Sequence, residues 1–275
     1  MKIPFNKLHL SGHEMTYMQD CLERGQIGGN GCYTAQVQQF VQDRFGCGKV
    51  LLTTSGTSAL EFASLLIDLQ PGDEVIMPSF TFVSSANAVM LRGARPVFAD
   101  IDPSTLNMDA GTVEAHINEH TRAVIPVHYA GTACAMDQIM DIAGRYDLMV
   151  IEDAAQAVNA SYKGKYLGSI GHLGCYSFHA TKNIACGEGG ALLINTDDPR
   201  IRERADLLWE KGTNRQLFLQ GQADKYTWMD IGSSFLLADI LAAYLQAQFE
   251  DMDTITRRRE HIYNCYYHHL SLIHL

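Results

Sequence analysis

The sequence alternates short apolar segments with helical segments along most of its length, and this alternation restricts the fold most. The apolar segments hold four or five residues, as in strands buried on both faces of a sheet. We therefore predict an α/β fold with a mostly parallel sheet and helices on both faces. The predicted strands are 50–53, 74–77, 96–99, 123–127, 148–151, 174–178 and 191–194, and the predicted helices between them are 59–69, 86–91, 111–117, 136–146 and 199–210.

The two ends of the chain follow this pattern less closely. The first 30 residues are predicted to be irregular. A helix is then predicted over 37–45, and Gly46 closes it. A further helix is predicted from Leu241 towards Arg259. The last residues, 268–275, do not resemble a finished terminal element, so we expect the chain to stop early.

Composition excludes several classes of protein. A chain of 275 residues with 47% hydrophobic residues can bury one large core, and a net charge of −10 argues against a nucleic-acid partner. The one compact basic run, 257–259, is interpreted as a solvated helix face. No apolar stretch reaches the roughly 18 residues of a membrane span. Seven scattered cysteines without CxxC spacing favour a reducing cytoplasm over disulfides or a metal site.

Two polar residues follow predicted strands in a pattern that suits pyridoxal 5'-phosphate (PLP). Asp153 ends an apolar strand, and Lys182 lies in a loop rich in Ser, Thr and His. Such a lysine can bind the cofactor aldehyde as a Schiff base, and the carboxylate can keep the pyridine nitrogen protonated. The alternatives are a helix-capping aspartate and a surface lysine, and the apolar neighbours of Lys182 argue against the latter.

Other segments could bind the phosphate and the ring of this cofactor. The turn 55–58 precedes a helix, where backbone N–H groups and hydroxyls bind phosphate, and Gly56 allows close approach. Phe82 is a candidate for stacking on the ring, and Ser177 for a further phosphate contact. Taken alone, the turn is more typical of a helix cap, and Phe82 of a core residue.

Other chemistries find less support. His116 and His120 are four residues apart but lack the glutamate of a zinc-protease helix, and no metal site is predicted. Neither a nucleophile elbow nor a Walker loop occurs. The glycines between residues 25 and 31 do not follow a strand, so a dinucleotide-binding oxidoreductase is not supported.

Taken together, these motifs resemble the DegT/DnrJ/EryC1/StrS family of sugar aminotransferases. The resemblance extends over the whole chain and implies the large domain of a fold-type I PLP-dependent transferase. It also implies a homodimer with its site at the interface. The stretches that carry it are 55–60, 71–78, 152–156, 177–182 and 187–190.

The resemblance also implies a role for each site residue. Lys182 would be the catalytic residue that holds the cofactor. The implied cofactor-binding residues are Gly56, Thr57, Ser58 and Ser177 at the phosphate, Phe82 against the ring, Asp153 at the ring nitrogen, and Gln156 near the ring or its hydroxyl. A partner-subunit residue would complete the phosphate site. Many members have Asn there, before an arginine; this chain has Ser234 and lacks the arginine.

Finer similarity within the family implies a substrate. L-Glutamate would supply an amino group to C4 of dTDP-4-dehydro-6-deoxy-D-glucose, in the synthesis of cell-surface polysaccharide. The stretches that carry this closer similarity are 126–131, 210–215, 224–228 and 230–234. Members also have a smaller C-terminal domain. We therefore expect residues 1–250 to form the PLP-binding domain and 251–275 to begin a domain that is largely missing.

Two alternatives share the cofactor but differ in activity. The 3-dehydratase branch of the family replaces the lysine with histidine, so Lys182 argues against it. A shortened chain that binds PLP without transferring an amine is the second alternative, and it predicts a yellow protein with no amine product.

Overall fold

The computed structural model describes Pro4 and residues 6–270 of the chain. The strands are β1 (Lys49–Thr53), β2 (Glu74–Pro78), β3 (Arg95–Ala99), β4 (Thr121–Val124), β5 (Met149–Asp153), β6 (Ser161–Tyr162), β7 (Lys165–Tyr166), β8 (Leu173–Ser177) and β9 (Gly190–Ile194). The helices are α1 (Glu14–Glu23), α2 (Cys32–Phe45), α3 (Gly56–Leu66), α4 (Val83–Met90), α5 (Ala110–Val113), α6 (Met136–Tyr146), α7 (Pro199–Trp209), α8 (Arg215–Leu219), α9 (Asp239–Glu250) and α10 (Met252–Leu270).

Seven strands form one sheet in the order β1-β9-β8-β5-β4-β2-β3, and β6 and β7 form a separate ribbon. The neighbours β8, β5, β4, β2 and β3 run parallel, whereas β9 is antiparallel to both β8 and β1. The prediction of a mostly parallel sheet is confirmed. Its parallel strands end at one edge, which is where ligands bind in sheets of this kind.

Successive strand residues point to opposite sides of the sheet, and apolar clusters form on both sides. Val50 and Leu52 pack with α2 and α9 in one apolar cluster, whereas Leu51 packs with α3 and α7 in another. A third cluster joins α6 to β2, β4 and β5. Helices therefore cover the two faces, as the sequence predicts.

The prediction of an irregular N-terminal segment is wrong, because residues 14–23 form α1. The buried Glu14 side chain accepts hydrogen bonds from the backbone N–H groups of Ser11 (2.7 Å) and Gly12 (2.9 Å). Gln248 of α9 donates a third bond of 2.8 Å to the same carboxylate. Helix α1 thus depends on a partner far along the chain, which local sequence patterns do not show.

Several predicted boundaries shift by a few residues. Helix α3 begins at Gly56 instead of residue 59, and α4 begins at Val83 instead of residue 86. Strand β4 ends at Val124, although Val127 still pairs with Asp153 through an isolated parallel bridge. The predicted helix over 111–117 is divided between α5 and a short 3-10 turn. Gly46 closes α2 as predicted, in the left-handed conformation (φ 69°).

Helix α10 follows directly after α9, which ends at Glu250. Beyond Ile255, which is buried, every residue of α10 up to Leu270 is exposed. The division into residues 1–250 and 251–275 stays a prediction. Residues 271–275, part of the predicted unfinished terminus, lie outside the described residues.

Candidate active site

A cavity of about 500 Å³ lies where β5 and β8 end, beside the first turn of α3 and the loop before β9. It brings together residues from distant parts of the sequence. Seven predicted site residues line it: Gly56, Thr57, Phe82, Asp153, Gln156, Ser177 and Lys182. Ser58 and Ser234 do not belong to its wall. The Ser58 hydroxyl bonds instead to Thr54 (2.8 Å) and Ser55 (3.1 Å), and Ser234 is exposed.

The first turn of α3 supplies free backbone donors at one end of the cavity. Ser55 caps this helix, since its hydroxyl oxygen accepts a hydrogen bond of 3.0 Å from the N–H of Ser58. A Cβ placed on Gly56 would lie only 2.7 Å from the Cβ of Ser177, so glycine lets the helix end meet β8. Helix N-termini of this kind attract phosphate.

Asp153 ends β5 with its carboxylate held from two sides. Ser85 donates a hydrogen bond of 2.7 Å to Oδ2, and the N–H of Ala155 donates one of 3.2 Å to Oδ1. The residue is buried yet lines the cavity. A buried carboxylate is costly unless it is hydrogen-bonded or paired with a cation, so this one suits a positively charged ring nitrogen.

Two serines at the start of α4 support the site, and the sequence analysis did not identify them. Ser85 is fully buried, and its hydroxyl is also 2.8 Å from that of Thr81. Ser84 lies 2.6 Å from the hydroxyl of Thr57, on the wall of the cavity. The predicted helix start at residue 86 left both serines in a loop, so the sequence did not show that Ser84 lines the cavity and that Ser85 supports Asp153.

Lys182 lies half-buried in the loop between β8 and β9. Its backbone N–H bonds to the carbonyl of His179 (2.8 Å), and Gly187 closes the loop with φ 94°. Burial lowers the pKa of Lys182 below its ordinary value, and the negative charge of Asp153 acts in the opposite direction. The predicted acid and the predicted amine both line the same cavity. A lowered pKa favours the neutral, nucleophilic amine.

The two other predicted residues lie on the cavity wall in different environments. Phe82 is 70% exposed, which excludes the hypothesis of a core residue and leaves its ring free to stack on a ligand. Gln156 accepts a hydrogen bond of 2.8 Å from the N–H of Ala130 through Oε1. This bond fixes the amide between the main cavity and a smaller one of about 320 Å³.

His179 and Glu188 also line the cavity, and the sequence analysis assigned them no role. Their side chains approach to 3.5 Å across the loop that carries Lys182. The His179 ring is also 2.9 Å from the hydroxyl of Thr181. Both residues belong to stretches that the family resemblance rests on, so the motif itself was the available signal.

These groups fit PLP in charge and shape. The helix end at Gly56 offers N–H donors and hydroxyls to a phosphate, and Asp153 offers an anion to the ring nitrogen. Phe82 offers an apolar face, and Lys182 offers an amine with a lowered pKa. Gly56 and Ser177, which lie in close contact, both line the cavity at this helix end.

The sequence matches known proteins over nearly its whole length. Residues 9–274 match the model of the DegT/DnrJ/EryC1/StrS aminotransferase family. The GDP-perosamine synthase of Caulobacter vibrioides is 37% identical over 257 residues, which cover 94% of this chain and 67% of that protein.

Solved structures show the same fold. The putative sugar aminotransferase Spr1654 from Streptococcus pneumoniae, in its PMP form, superposes with a TM-score of 0.90 at 27% identity, covering 98% of this chain and 72% of that one. PseC of Helicobacter pylori, an aminotransferase of pseudoaminic acid biosynthesis, gives a TM-score of 0.89 at 25% identity, with coverage of 98% and 71%.

The chain belongs to the DegT/DnrJ/EryC1/StrS family of PLP-dependent sugar aminotransferases. The cofactor inferred from the sequence is thereby confirmed. In the described part of the chain no helix has the length and apolar character needed to cross a membrane. All seven cysteines are free.

Proposed function

We propose that this chain transfers the amino group of L-glutamate to C4 of a nucleotide-linked 4-keto-6-deoxy sugar. The observation that carries the proposal is that Lys182 and Asp153 line one cavity. A nucleotide sugar also suits the family, whose members include a relative named for a GDP-linked product.

PLP, when bound, withdraws electrons from the carbon that carries the amine and so makes its proton removable. Asp153 would pair with the ring nitrogen of the bound cofactor, with its orientation set by Ser85. Gly56, Thr57 and the hydroxyl of Ser177 would bind the phosphate, whereas Ser58, whose N–H and hydroxyl are bonded to Ser55 and Thr54, would only support the turn. Phe82 and Gln156 would hold the ring from the cavity wall.

Lys182 supplies the base for the transfer. Its buried amine has a lowered pKa, so the neutral form that accepts a proton is populated closer to physiological pH. When it is not bonded to the cofactor, the Lys182 amine would accept a proton from one reacting carbon and return it to the other. Its loop is fixed by backbone bonds at His179 and Gly187, so the amine keeps its position.

We propose dTDP-4-dehydro-6-deoxy-D-glucose as the acceptor, which would make the chain a dTDP-4-amino-4,6-dideoxygalactose transaminase of enterobacterial common antigen synthesis. The stretches 126–131 and 224–228 support this choice. The second candidate acceptor is a GDP-linked 4-keto-6-deoxy sugar, favoured by the identity to GDP-perosamine synthase. We propose a cytoplasmic location, which the scattered cysteines without CxxC spacing support.

The proposal includes a homodimer. In it, the exposed Ser234 would reach the phosphate site of the partner subunit. Two observations support this contact. Ser234 does not line the cavity of its own chain, and apolar side chains near it in the sequence are exposed, such as Trp228 (77%) and Ile231 (58%).

The test uses the PLP-loaded chain with ¹⁵N-labelled L-glutamate and each acceptor in turn. We expect mass spectrometry to find ¹⁵N in the dTDP-linked amino sugar. The variant Lys182→Ala should give no labelled product. The control Lys165→Ala, which alters an exposed lysine of β7, should give an unchanged yield. Label in the GDP-linked product alone would select the second acceptor. A deoxygenated, unlabelled product would support the dehydratase alternative, and no product at all would support the non-catalytic one.

The covalent link is tested separately by borohydride reduction of the yellow protein followed by peptide mapping. We expect the reduced cofactor on Lys182 and no adduct in Lys182→Ala. An adduct that persists in this variant would refute the assignment of the lysine.

A further inference from the structure

A second carboxylate, that of Glu152, directly precedes Asp153 in β5 and is fully buried. Successive strand residues point to opposite sides of a sheet, so Glu152 lies on the side away from the cavity that Asp153 lines. The side chain of His128, which is also fully buried, lies beside it, with Nε2 at 2.8 Å from Oε2 of Glu152. We call these two side chains the buried pair. The proposed mechanism uses neither of them.

We propose that the buried pair positions Asp153 for its contact with the ring nitrogen of PLP. The inference rests on the proposed function, because the pairing of Asp153 with that nitrogen is part of it. His128 acts through Asp153 and touches no ligand, so it is a positioning residue and not a catalytic one.

Four donors surround the carboxylate of Glu152. The N–H of Gly168 donates to Oε2 at 2.8 Å, on the oxygen that also faces His128. The N–H groups of Ile170 (2.7 Å) and Gly171 (2.6 Å) donate to Oε1. A carboxylate has about four acceptor sites, so these donors occupy all of them. Because an unsatisfied buried carboxylate is costly, each of the four bonds holds its segment firmly against β5.

The hydrogen bonds of His128 determine which ring nitrogen carries the proton. Nδ1 lies 3.2 Å from the backbone nitrogen of Cys134, whose N–H can only donate. Nδ1 must therefore accept, and the proton of the neutral ring is on Nε2, which donates it to Glu152. The ring thus connects β5 to the segment that leads into α6.

The backbone of His128 is bonded to Asp153 itself. Its N–H donates to the carbonyl of Asp153 (3.1 Å), and the N–H of Asp153 donates to the carbonyl of Pro126 (2.9 Å). These bonds form the isolated bridge between Val127 and Asp153. Regular pairing of β4 with β5 already ends at Val124, and Pro126 has no N–H with which to continue it. The side chain of His128 therefore adds a link where the backbone ladder is incomplete.

A displacement of His128 would move Asp153, because both backbone groups of Asp153 are bonded to the segment 126–128. Ser85 holds the carboxylate, but it does not hold the end of the strand. A hydrogen bond between charged groups depends steeply on distance and angle, so a small shift of the strand end weakens the contact with the ring nitrogen. The phosphate contact at α3 should be spared, because it lies on a different element.

The test compares PLP with 1-deaza-PLP, an analogue in which a C–H group replaces the ring nitrogen. Both compounds have the same phosphate and aldehyde, so the ratio of their dissociation constants reports the contact at the ring nitrogen. Absorbance titration of the cofactor-free chain measures both constants. We expect the unmodified chain to prefer PLP by about tenfold to one-hundredfold, as for a hydrogen bond to a charged group. Asp153→Asn should remove most of this preference.

Two substitutions of His128 separate the two bonds of its ring. His128→Asn keeps an acceptor near the position of Nδ1 but cannot reach Glu152, whereas His128→Gln can place a donor near the position of Nε2. We expect His128→Asn to lower the preference for PLP by about fivefold to tenfold, within the range of one lost hydrogen bond to a charged group. His128→Gln should restore the preference to within about twofold of the unmodified chain.

His172→Asn is the matched control. The Nδ1 of His172 also accepts a backbone hydrogen bond from β5, at 2.9 Å from the nitrogen of Val150. Val150 lies three residues before Asp153, away from the cavity end of the strand. This substitution should leave the preference for PLP unchanged even where urea denaturation shows a loss of stability.

Two results would overturn the inference. The first is a full preference for PLP in His128→Asn under conditions where Asp153→Asn has lost it. The second is an equal loss of affinity for PLP and 1-deaza-PLP in His128→Asn, since a general structural defect affects both compounds alike. If His128→Asn does not fold, Glu152→Asp decides the question. The shorter acid keeps its charge but withdraws it from His128, so the preference should fall, and a full preference would refute the inference.

The same measurements separate this inference from the proposed function. If the unmodified chain binds PLP and 1-deaza-PLP equally, the proposed contact of Asp153 is refuted together with the inference. If the expected pattern of preferences is found but ¹⁵N is not transferred from L-glutamate to either acceptor, only the proposed function is refuted.

Discussion

The hydroxyl of Ser85 lies 2.7 Å from Oδ2 of Asp153 and donates a hydrogen bond to it. Both side chains are buried, and they come from α4 and β5, which are far apart in the sequence. The bond fixes the orientation of the one carboxylate that faces the cavity at the end of β5. Ser85 is therefore a positioning residue for the cofactor site.

The variant Ser85→Ala is expected to weaken PLP binding by about tenfold, because Asp153 loses its fixed orientation. It should also lower the free energy of unfolding by about 2 kcal/mol, the usual cost of removing a buried bond to a charged group. Absorbance titration and chemical denaturation measure the two effects.

Ser64→Ala provides the control for Ser85→Ala. Ser64 is equally buried in α3, but its hydroxyl has no hydrogen-bond partner. Its removal should leave PLP binding unchanged and the stability equal or slightly higher. Equal effects of the two substitutions would show that burial, and not the bond to Asp153, determines the result.

Gly56→Ala is expected to displace the first turn of α3. The added methyl group would lie 2.7 Å from the Cβ of Ser177, which is too close for a packed contact. We expect a loss of about 1–3 kcal/mol in unfolding free energy and clearly weaker binding of PLP. Calorimetry and absorbance titration measure both quantities.

Gly144→Ala is the matched substitution in α6, where an added Cβ meets no atom within 4 Å. It should stabilise the protein by about 0.5–1 kcal/mol through helix propensity. Destabilisation by both alanines would mean that the contact with Ser177 is not the cause.

The reactivity of Lys182 should depend on pH in a way that Asp153 controls. Burial lowers the pKa of the amine, and the charge of Asp153 raises it in part. In the cofactor-free chain, the pH midpoint for acylation of Lys182 should therefore be low. It should lie below the midpoint for a lysine in a peptide, which is about 10.4. Asp153→Asn removes the raising charge and should move the midpoint further down. Competitive labelling with mass spectrometry measures both, and an upward shift in Asp153→Asn would contradict the assignment.

Acid should destabilise the chain through Glu14. Burial alone would raise the pKa of this carboxyl, but hydrogen bonds from Ser11, Gly12 and Gln248 lower it from 4.5 to about 2. A carboxyl with a lowered folded pKa stabilises the protein above its unfolded pKa, and this contribution is lost as pH falls. We expect a loss of up to about 3 kcal/mol between pH 4.5 and 2.

Denaturation of the unmodified chain and of Glu14→Gln at several pH values checks this expectation. The variant should lose most of the pH dependence in that window. Glu23→Gln, at the exposed C-terminal end of α1, should retain it. An unchanged pH profile in Glu14→Gln would show that other carboxyls are responsible.

Local patterns were sufficient to predict the strands and the motif residues of the cavity. The apolar segment before Asp153 and the loop around Lys182 are continuous in sequence, so their spacing is visible directly. The left-handed turn at Gly46 likewise needs only a glycine after a helical segment.

Features that depend on distant partners were not predictable. Helix α1 is stabilised by Glu14 and its bond to Gln248 of α9, and Asp153 is oriented by Ser85 of α4. Such pairs appear only when the chain is folded, since no local periodicity connects them.

The position of β1 has a consequence for the order in which the site is completed. Among the described strands, β1 pairs only with β9, which comes last in the sequence of this sheet's strands. The helix end that follows β1 cannot be held through this pairing until β9 has been synthesised. A nascent chain released before that point would carry the lysine loop but no assembled phosphate pocket, so capture of the vitamin must wait for β9.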